Sequence, residues 1–239
     1  DKFLHGLLGI MKGSGIDWVM SERELEPLIG PLVNNEGGKI RGILFPLEWA
    51  GREQPVKPNY ELHKKIRSAV DNTSPFLLQH SSGTTGLQKA VVLSHKAILE
   101  HVKRYSEVIK LSNYDKIASW LPLYHDMGLI AAFHMPLAFG IPSIQIDPFQ
   151  WVSAPSIFFQ VISQETATLA WIPNFAYNFM VDRIREEEME SIKLSSMRMF
   201  INCSEVVRAK SHERFFSRFQ KYGVKKESFL KEILEEIKE

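Results

Sequence analysis

The sequence predicts an α/β protein in which doubly wound, mainly parallel sheets are flanked by helices. Short apolar runs of strand length alternate with longer segments whose apolar residues recur at helical spacing. Proline- and glycine-containing turns separate most of these segments. The chain has 239 residues, 44% of them hydrophobic and 24% charged, which is enough for a sizeable core in one large domain or two subdomains.

The first third of the chain predicts three helices, two short strands and a linker. Ser21 and Glu24 have the spacing of a capping box, which favours a helix starting there. The predicted elements, in order, are a helix over 1–14, a strand over 16–20, a helix over 21–33, a strand over 43–45, a proline-rich loop over 46–58 and a helix over 60–70.

The rest of the chain alternates more regularly. The segment 127–139 is apolar all round and is expected to be buried. The last segment, 225–239, is a charged amphipathic helix that carries no chemistry. The predicted elements are a strand, loop and strand over 76–93, helices over 95–110, 127–139, 153–164, 173–180, 208–222 and 225–239, and strands over 116–120, 143–146, 168–171 and 197–202.

Composition argues against several classes of protein. The net charge is +1, so the sequence does not indicate a nucleic-acid-binding surface. The single cysteine, Cys203, excludes an internal disulfide and is typical of a cytoplasmic protein, where it is expected to be structural and buried. No apolar run reaches the length of a membrane span. The chain starts without methionine or a signal-like segment, which we interpret as a fragment of a longer protein.

A loop between two predicted strands carries the strongest functional signal. Its two glycines free backbone N–H groups for an anion, its four hydroxyls add donors and its lysine adds a positive charge, so a polyphosphate is the expected ligand. A plain hairpin turn is the simpler alternative. The pattern is not a Walker A motif, because Lys89 follows Gln88 and leads into a strand. The loop residues are Ser81, Ser82, Gly83, Thr84, Thr85, Gly86, Leu87, Gln88 and Lys89.

A second motif lies where a predicted strand ends and an apolar helix begins. His125 and Asp126 follow Pro122 at this point, and the ends of parallel strands are where ligands bind in α/β sheets. From the residues alone, the better interpretation is that Asp126 is the helix N-cap and His125 packs on the loop.

Taken together, the two motifs resemble those of the adenylate-forming superfamily: acyl-CoA synthetases, fatty acyl-AMP ligases, luciferases and peptide-synthetase adenylation domains. Residues 122–129 look most like the fatty acyl-AMP ligase branch, and 202–207 resemble the adenine-pocket motif. The chain departs from the family pattern at Gln88, Ala90, Cys203, Ser204 and Val206. The resemblance runs from about 76 to 221, weakly back to residue 1, and covers only the middle of the family's N-terminal domain.

The resemblance implies adenylation of a carboxylic acid by ATP with Mg²⁺, giving acyl-AMP and pyrophosphate. CoA or an acyl carrier protein then accepts the acyl group through a thiol. Apolar residues after Asp126 favour a fatty acid. The implied catalytic residues are Lys89 and His125. The implied ATP-binding residues are Ser81, Ser82, Gly83, Thr84, Thr85, Gly86, Lys89, Asn202, Cys203, Ser204 and Glu205. The implied acid-binding residues are His125, Asp126, Met127, Asn174 and Tyr177.

The predicted organisation is a partial subdomain and linker over 1–75, an AMP-binding core over 76–224 and an amphipathic helix over 225–239. Two other functions stay open at this point. One is a non-catalytic relative that binds a nucleotide or an acyl group. The other is a different phosphate-binding enzyme such as a kinase, although the sequence lacks a kinase catalytic loop. The isolated fragment is expected to be inactive.

Overall fold

A computed structural model describes five stretches of the chain: 2–33, 40–49, 59–81, 89–203 and 206–229. They form two compact units, residues 1–97 and 98–239. This division falls later than the one predicted at 75/76, and the functional boundaries stay a prediction. Among the described residues, no helix combines the length and the apolar composition that a membrane span requires.

The described residues of the first unit form two small sheets and three α-helices. Its elements are α1 (Lys2–Ser14), β1 (Trp18–Met20), α2 (Glu26–Ile29), β2 (Gly42–Leu44), α3 (Tyr60–Ala69), β3 (Pro75–Ser81) and β4 (Lys89–Ser94), followed by the start of α4 (His95–Val108). Strands β1 and β2 pair in parallel, and β3 and β4 pair antiparallel. Helix α1 packs by its apolar side, with Met11 buried against Ile29, Leu32 and Ile40.

The predicted capping box in the first unit is wrong. Glu22 occupies the N-cap position without a side-chain hydrogen bond, and the Ser21 N–H instead donates to the Leu44 carbonyl at 3.0 Å. The predicted long helix is a short α2 between two 3₁₀ turns. Pro27 is the second residue of α2, and Pro31 is the second residue of the following 3₁₀ turn. Because proline has no N–H group to donate, a continuous α-helical hydrogen-bond ladder does not form.

The second unit is built on a four-stranded sheet in the order β6-β5-β7-β8. All its strand pairs are parallel, which confirms the predicted fold class for this part of the chain. The elements after α4 are β5 (Ile117–Ser119), α5 (Asp126–Leu129), a π-helical segment (Ile130–His134), α6 (Met135–Phe139), β6 (Ser143–Gln145), α7 (Pro148–Ser153), α8 (Ser156–Glu165), β7 (Leu169–Pro173), α9 (Asn174–Arg183), β8 (Met199–Cys203) and α10 (Ala209–Phe219).

The predicted helix over 127–139 differs from the structure in two ways. A π-helical segment separates α5 from α6, and the segment is not buried all round, since Leu137 is 70% exposed. Ala132 and Met135 are fully buried because one side of the segment packs against the sheet. Apolar composition alone therefore overestimated the burial of this helix.

The predicted helix over 225–239 is wrong across its first residues. Lys226–Ser228 form a 3₁₀ turn, and Phe229 makes a parallel bridge to Phe200 of β8. Phe229 is buried and packs on the aromatic core of the second unit. The remainder of the predicted helix, 230–239, lies outside the described residues.

Candidate functional site

The carboxyl ends of the parallel strands define the candidate site in the second unit. Strand β5 leads through Trp120 toward His125, β7 leads directly into Asn174, and β8 ends at Asn202 and Cys203. Because β5, β7 and β8 are parallel, these residues emerge at the same edge of the sheet. The topology thus brings the motifs at 122–129 and 202–207 to the same edge as Asn174.

Two asparagines at the ends of neighbouring strands are joined at this edge. Asn202 Nδ2 donates to Asn174 Oδ1 at 3.2 Å and lies 2.7 Å from His212 Nε2. The Arg208 N–H also donates to Asn174 Oδ1, at 3.1 Å. Asn202 Oδ1 is buried and has no hydrogen-bond partner among the described residues. A buried carbonyl oxygen in this state is able to accept a hydrogen bond from a ligand.

His125 and Asp126 are exposed at the start of α5, where a ligand can reach them. Their side chains are 46% and 64% exposed, and His125 Nδ1 lies 2.7 Å from Asp126 Oδ1. His125 occupies the N-cap position, and the Met127 N–H donates to Asp126 Oδ1 at 2.8 Å. The simpler interpretation of this motif is therefore wrong, because the N-cap is His125, whose Nδ1 accepts from the Met127 N–H at 3.4 Å, and Asp126 is the first residue of the helix.

The segment that leads to His125 is held by close packing on both sides. Trp120 stacks on Trp151 of α7, with ring centroids 3.6 Å apart and planes 2° apart. On the other side, a Cβ on Gly128 would lie 2.3 Å from the Pro122 carbonyl oxygen. Glycine at 128 therefore allows α5 to approach the backbone before His125.

A cavity of about 240 Å³ lies between α4, α5, the π-helical segment and β7. Asp126 contributes a charged group to its wall, and Trp171 Nε1 donates to the Tyr105 hydroxyl at 2.6 Å. Burial lowers the pKa of His134 in the same π-helical segment, which favours its neutral form. The residues that line the cavity are His101, Tyr105, Asp126, Met127, Ile130, Ala131 and Trp171.

The predicted phosphate loop falls mainly outside the described residues. Residues 82–88 are not described, but Ser81 and Lys89 on either side pair with each other as the ends of β3 and β4. The predicted strand–loop–strand arrangement is therefore confirmed for its strands. One residue before the loop, His80 Nε2 lies 2.8 Å from the Ser14 hydroxyl of α1. The phosphate-binding role of the loop stays a prediction.

The remaining predicted site residues are distributed unevenly. Met127 lines the cavity, and the backbone of Cys203 pairs with Pro173 at the end of β8. Ser204 and Glu205 lie outside the described residues. Tyr177 is fully buried and packs against His212 and Phe215, so the structure places it in the aromatic core. Its assignment to the acid site stays a prediction.

Four side chains at this site were not predicted from the sequence as site residues: His101, Tyr105, Trp171 and His212. His101 and Tyr105 are four residues apart, so they share a face of α4, and that spacing was an available signal. His212 carried no such signal, because its contact with Asn202 depends on how α10 packs against the sheet. Tertiary packing was needed to find it.

Comparison with known proteins identifies the family. The family model described as AMP-binding enzyme matches residues 17–226. A protein named "Probable long-chain-fatty-acid–AMP ligase FadD30", from Mycobacterium tuberculosis, is 28% identical over 87% of this chain and 35% of its own length. TtuA of Teredinibacter turnerae, named as a medium-chain-fatty-acid–[acyl-carrier-protein] ligase, is 29% identical over 77% of this chain and 30% of its own.

Solved structures agree with the sequence comparisons. A fatty acyl-adenylate ligase from L. pneumophila, solved in complex with acyl adenylate and pyrophosphate, superposes with a TM-score of 0.77 at 30% identity. The match covers 95% of this chain and 38% of that one. The chain spans about a third of the length of the curated relatives named above.

Proposed function

Because this chain belongs to the AMP-binding enzyme family, we propose that the protein carrying it activates a fatty acid with ATP. The products are a fatty acyl-AMP and pyrophosphate. The observation that carries the proposal is the arrangement at the carboxyl edge of the sheet. There an accessible His125–Asp126 pair adjoins a largely apolar cavity, and Asn202 presents an unpartnered acceptor at the same edge.

We assign the acyl tail to the cavity beside α5. Met127, Ile130 and Ala131 give its wall an apolar surface, which suits a hydrocarbon chain. His125 is exposed beside this cavity, and because its Nδ1 accepts from the Met127 N–H, its Nε2–H can donate to the acid's carboxylate or to the α-phosphate. This role requires a hydrogen bond and does not require proton transfer by His125.

The proposed reaction exchanges one bond to phosphorus for another. A carboxylate oxygen attacks the α-phosphorus of Mg-ATP, and the bond from that phosphorus to the oxygen bridging to the β-phosphorus breaks. The electron pair leaves with pyrophosphate, so negative charge grows on the departing phosphates. Lys89 and the donors of the 81–88 loop are proposed to stabilise that charge, as fixed donors do in other phosphoryl transfers. Mg²⁺ enters with ATP as part of the substrate.

The adenine is proposed to lie at the end of β8, beside Asn202. On the family resemblance, residues 203–205 are proposed to belong to the same pocket. After adenylation, the thiol sulfur of CoA or of a carrier protein attacks the acyl carbonyl carbon and forms a thioester. The bond from that carbon to the AMP oxygen breaks, AMP leaves, and the thiol proton is released. The relative TtuA is named as a carrier-protein ligase, which supports a carrier protein as one acceptor. The single cysteine fits a cytoplasmic site of action.

The test is carboxylate-dependent exchange of pyrophosphate into ATP, measured with the protein that carries this chain. Fatty acids of short, medium and long chain, aryl acids and amino acids are supplied in turn. Exchange with fatty acids supports the proposal, and Lys89→Ala is expected to slow it by about 10- to 100-fold. Lys103→Ala on α4 is the matched control and should leave exchange unchanged. Absence of exchange with every acid, despite measurable ATP binding, would contradict the proposal and favour a non-catalytic relative.

A second variant tests the cavity itself. Ile130→Trp fills space in the cavity and is expected to shift the preferred fatty acid toward shorter chains. Leu137→Trp, on the exposed side of α6, adds the same bulk outside the cavity and should leave chain-length preference unchanged. An unaltered chain-length profile in a folded Ile130→Trp protein would remove the cavity from the acid site.

A further inference from the structure

We infer that His212 is a positioning residue that keeps the Asn202 carboxamide turned so that its Oδ1 can accept a hydrogen bond from the 6-amino group of adenine. This inference rests on the proposed function, since it concerns the nucleotide that the protein uses. It adds a residue from α10 and a preference for adenine over purines with a 6-oxo group.

The orientation of the two asparagines follows from one donor that cannot be reversed. The Arg208 backbone N–H only donates, so the atom of Asn174 that lies 3.1 Å from it is the carbonyl oxygen, Oδ1. The Asn202 atom 3.2 Å from that oxygen must then be a donor, which makes it Nδ2. A reversed Asn202 carboxamide would place two carbonyl oxygens against each other.

His212 reinforces this orientation from the other side. Because Asn202 Nδ2 donates, the His212 Nε2 at 2.7 Å from it accepts, and the imidazole proton resides on Nδ1. The ring is held in place by Tyr177 and by Phe229, whose ring centroids lie 4.8 Å and 5.2 Å from that of His212. Asn174 and His212 are 6% and 9% exposed, so water competes little for these bonds.

As a consequence, Asn202 can only accept a hydrogen bond from a ligand at this edge of the sheet. With both Nδ2 hydrogens directed at Asn174 and His212, Asn202 offers only its buried, unpartnered Oδ1 to a ligand. An acceptor matches the 6-amino group of adenine and opposes the 6-oxo group of hypoxanthine. Loss of the His212 acceptor releases one Nδ2 hydrogen and weakens the preference.

The experiment compares ATP with ITP in acid-dependent pyrophosphate exchange, using kcat/KM for each nucleotide. His212→Leu is expected to lower the ATP-to-ITP selectivity by about tenfold, the effect of one lost oriented hydrogen bond. His212→Gln, whose Oε1 can accept from Asn202, is expected to restore most of that selectivity. Ser211→Ala is the matched control. Ser211 lies on α10 beside His212, but its hydroxyl accepts from Asn178 Nδ2 of α9 at 2.9 Å and does not bond to Asn202.

A purely structural role for His212 would lower exchange with ATP and ITP together. An unchanged selectivity ratio in a folded His212→Leu protein would therefore overturn the inference. If that variant does not fold, long-range ¹H–¹⁵N NMR of the unsubstituted protein gives a second test. An unprotonated Nε2 on His212 supports the inference, and a protonated Nε2 overturns it. A protein that exchanges with neither nucleotide would instead refute the proposed function, whereas the NMR result would still report on the orientation of Asn202.

Discussion

Arg198 donates two hydrogen bonds to the Asp115 carboxylate, from Nη2 to Oδ2 at 2.8 Å and from Nε to Oδ1 at 3.1 Å. Thr168 Oγ1 also donates to Asp115 Oδ1, at 2.7 Å. These residues precede β5, β7 and β8, so the cluster joins three strands at the edge opposite the candidate site. The fold is thereby held at one edge of the sheet by an ion pair, which leaves the carboxyl edge available for ligand chemistry.

Replacement of this carboxylate should destabilise the second unit. Asp115 is 2% exposed, and loss of one partner from a buried ion pair costs roughly 3 kcal/mol. Asp115→Asn is therefore expected to lower the free energy of unfolding by about that amount in urea denaturation. Asp182→Asn, which alters the exposed pair with Arg214, is the control and should cost less than about 1 kcal/mol. An equal decrease in the free energy of unfolding for the two variants would show that the Asp115 cluster stabilises the protein no more than an exposed ion pair does.

The same cluster predicts a pH dependence with a defined sign. Burial of Asp115 opposes its ionisation, but the hydrogen bonds from Arg198, Thr168 and the Ser112 amide outweigh burial and lower its pKa. A lowered pKa in the folded state contributes stability that is present above the unfolded value, about 4, and is lost as pH falls through the folded value. The stability difference between the unsubstituted protein and Asp115→Asn should therefore shrink on acidification below about pH 4. A difference that stays constant from pH 6 to pH 2 would contradict this.

Gly128 is expected to tolerate no side chain. A Cβ there would lie 2.3 Å from the Pro122 oxygen and 2.9 Å from the Leu121 oxygen, and backbone atoms cannot move aside without displacing the turn before His125. Gly128→Ala should cost about 1–3 kcal/mol of stability and reduce pyrophosphate exchange. Gly13→Ala in α1 meets open space and should be neutral or slightly stabilising. Unchanged stability and exchange in Gly128→Ala would show that this close approach is not required.

Phe229 is expected to hold the last described segment, residues 226–229, against the aromatic core of the second unit. Its ring, 8% exposed, packs against Phe200, Phe215 and His212. Phe229→Ala leaves a cavity in that cluster and is expected to cost roughly 3–5 kcal/mol in thermal or urea unfolding. Phe149→Ala removes the same ring from a position that is 81% exposed and should have little effect. A small effect at both positions would mean that Phe229 does not stabilise the core.

Much of the fold could be predicted because buried strands and amphipathic helices leave different periodic patterns. The central strands β5 and β7 are completely buried, so they appear as short continuous apolar runs. Helices α1 and α3 appeared at nearly the predicted bounds because their apolar residues recur at helical spacing. The predictions failed where one local sequence pattern is compatible with two different structures. Ser21 fits a cap but extends a strand pair, and the apolar segment 127–139 fits a buried helix but keeps Leu137 outside.

The sequence by itself determined the fold class, the order of the elements and the motifs at 81–89, 122–129 and 202–207, because these depend on residues close together in the chain. The tertiary structure alone decided which side chains meet. Asn174, Asn202 and His212 are joined by hydrogen bonds only because β7 and β8 are neighbours in register and α10 packs over them. It likewise placed Tyr177 in the core and formed the cavity from α4, α5 and β7. Periodicity reports which face of an element is buried, whereas the identity of its neighbours depends on the packing of the whole unit.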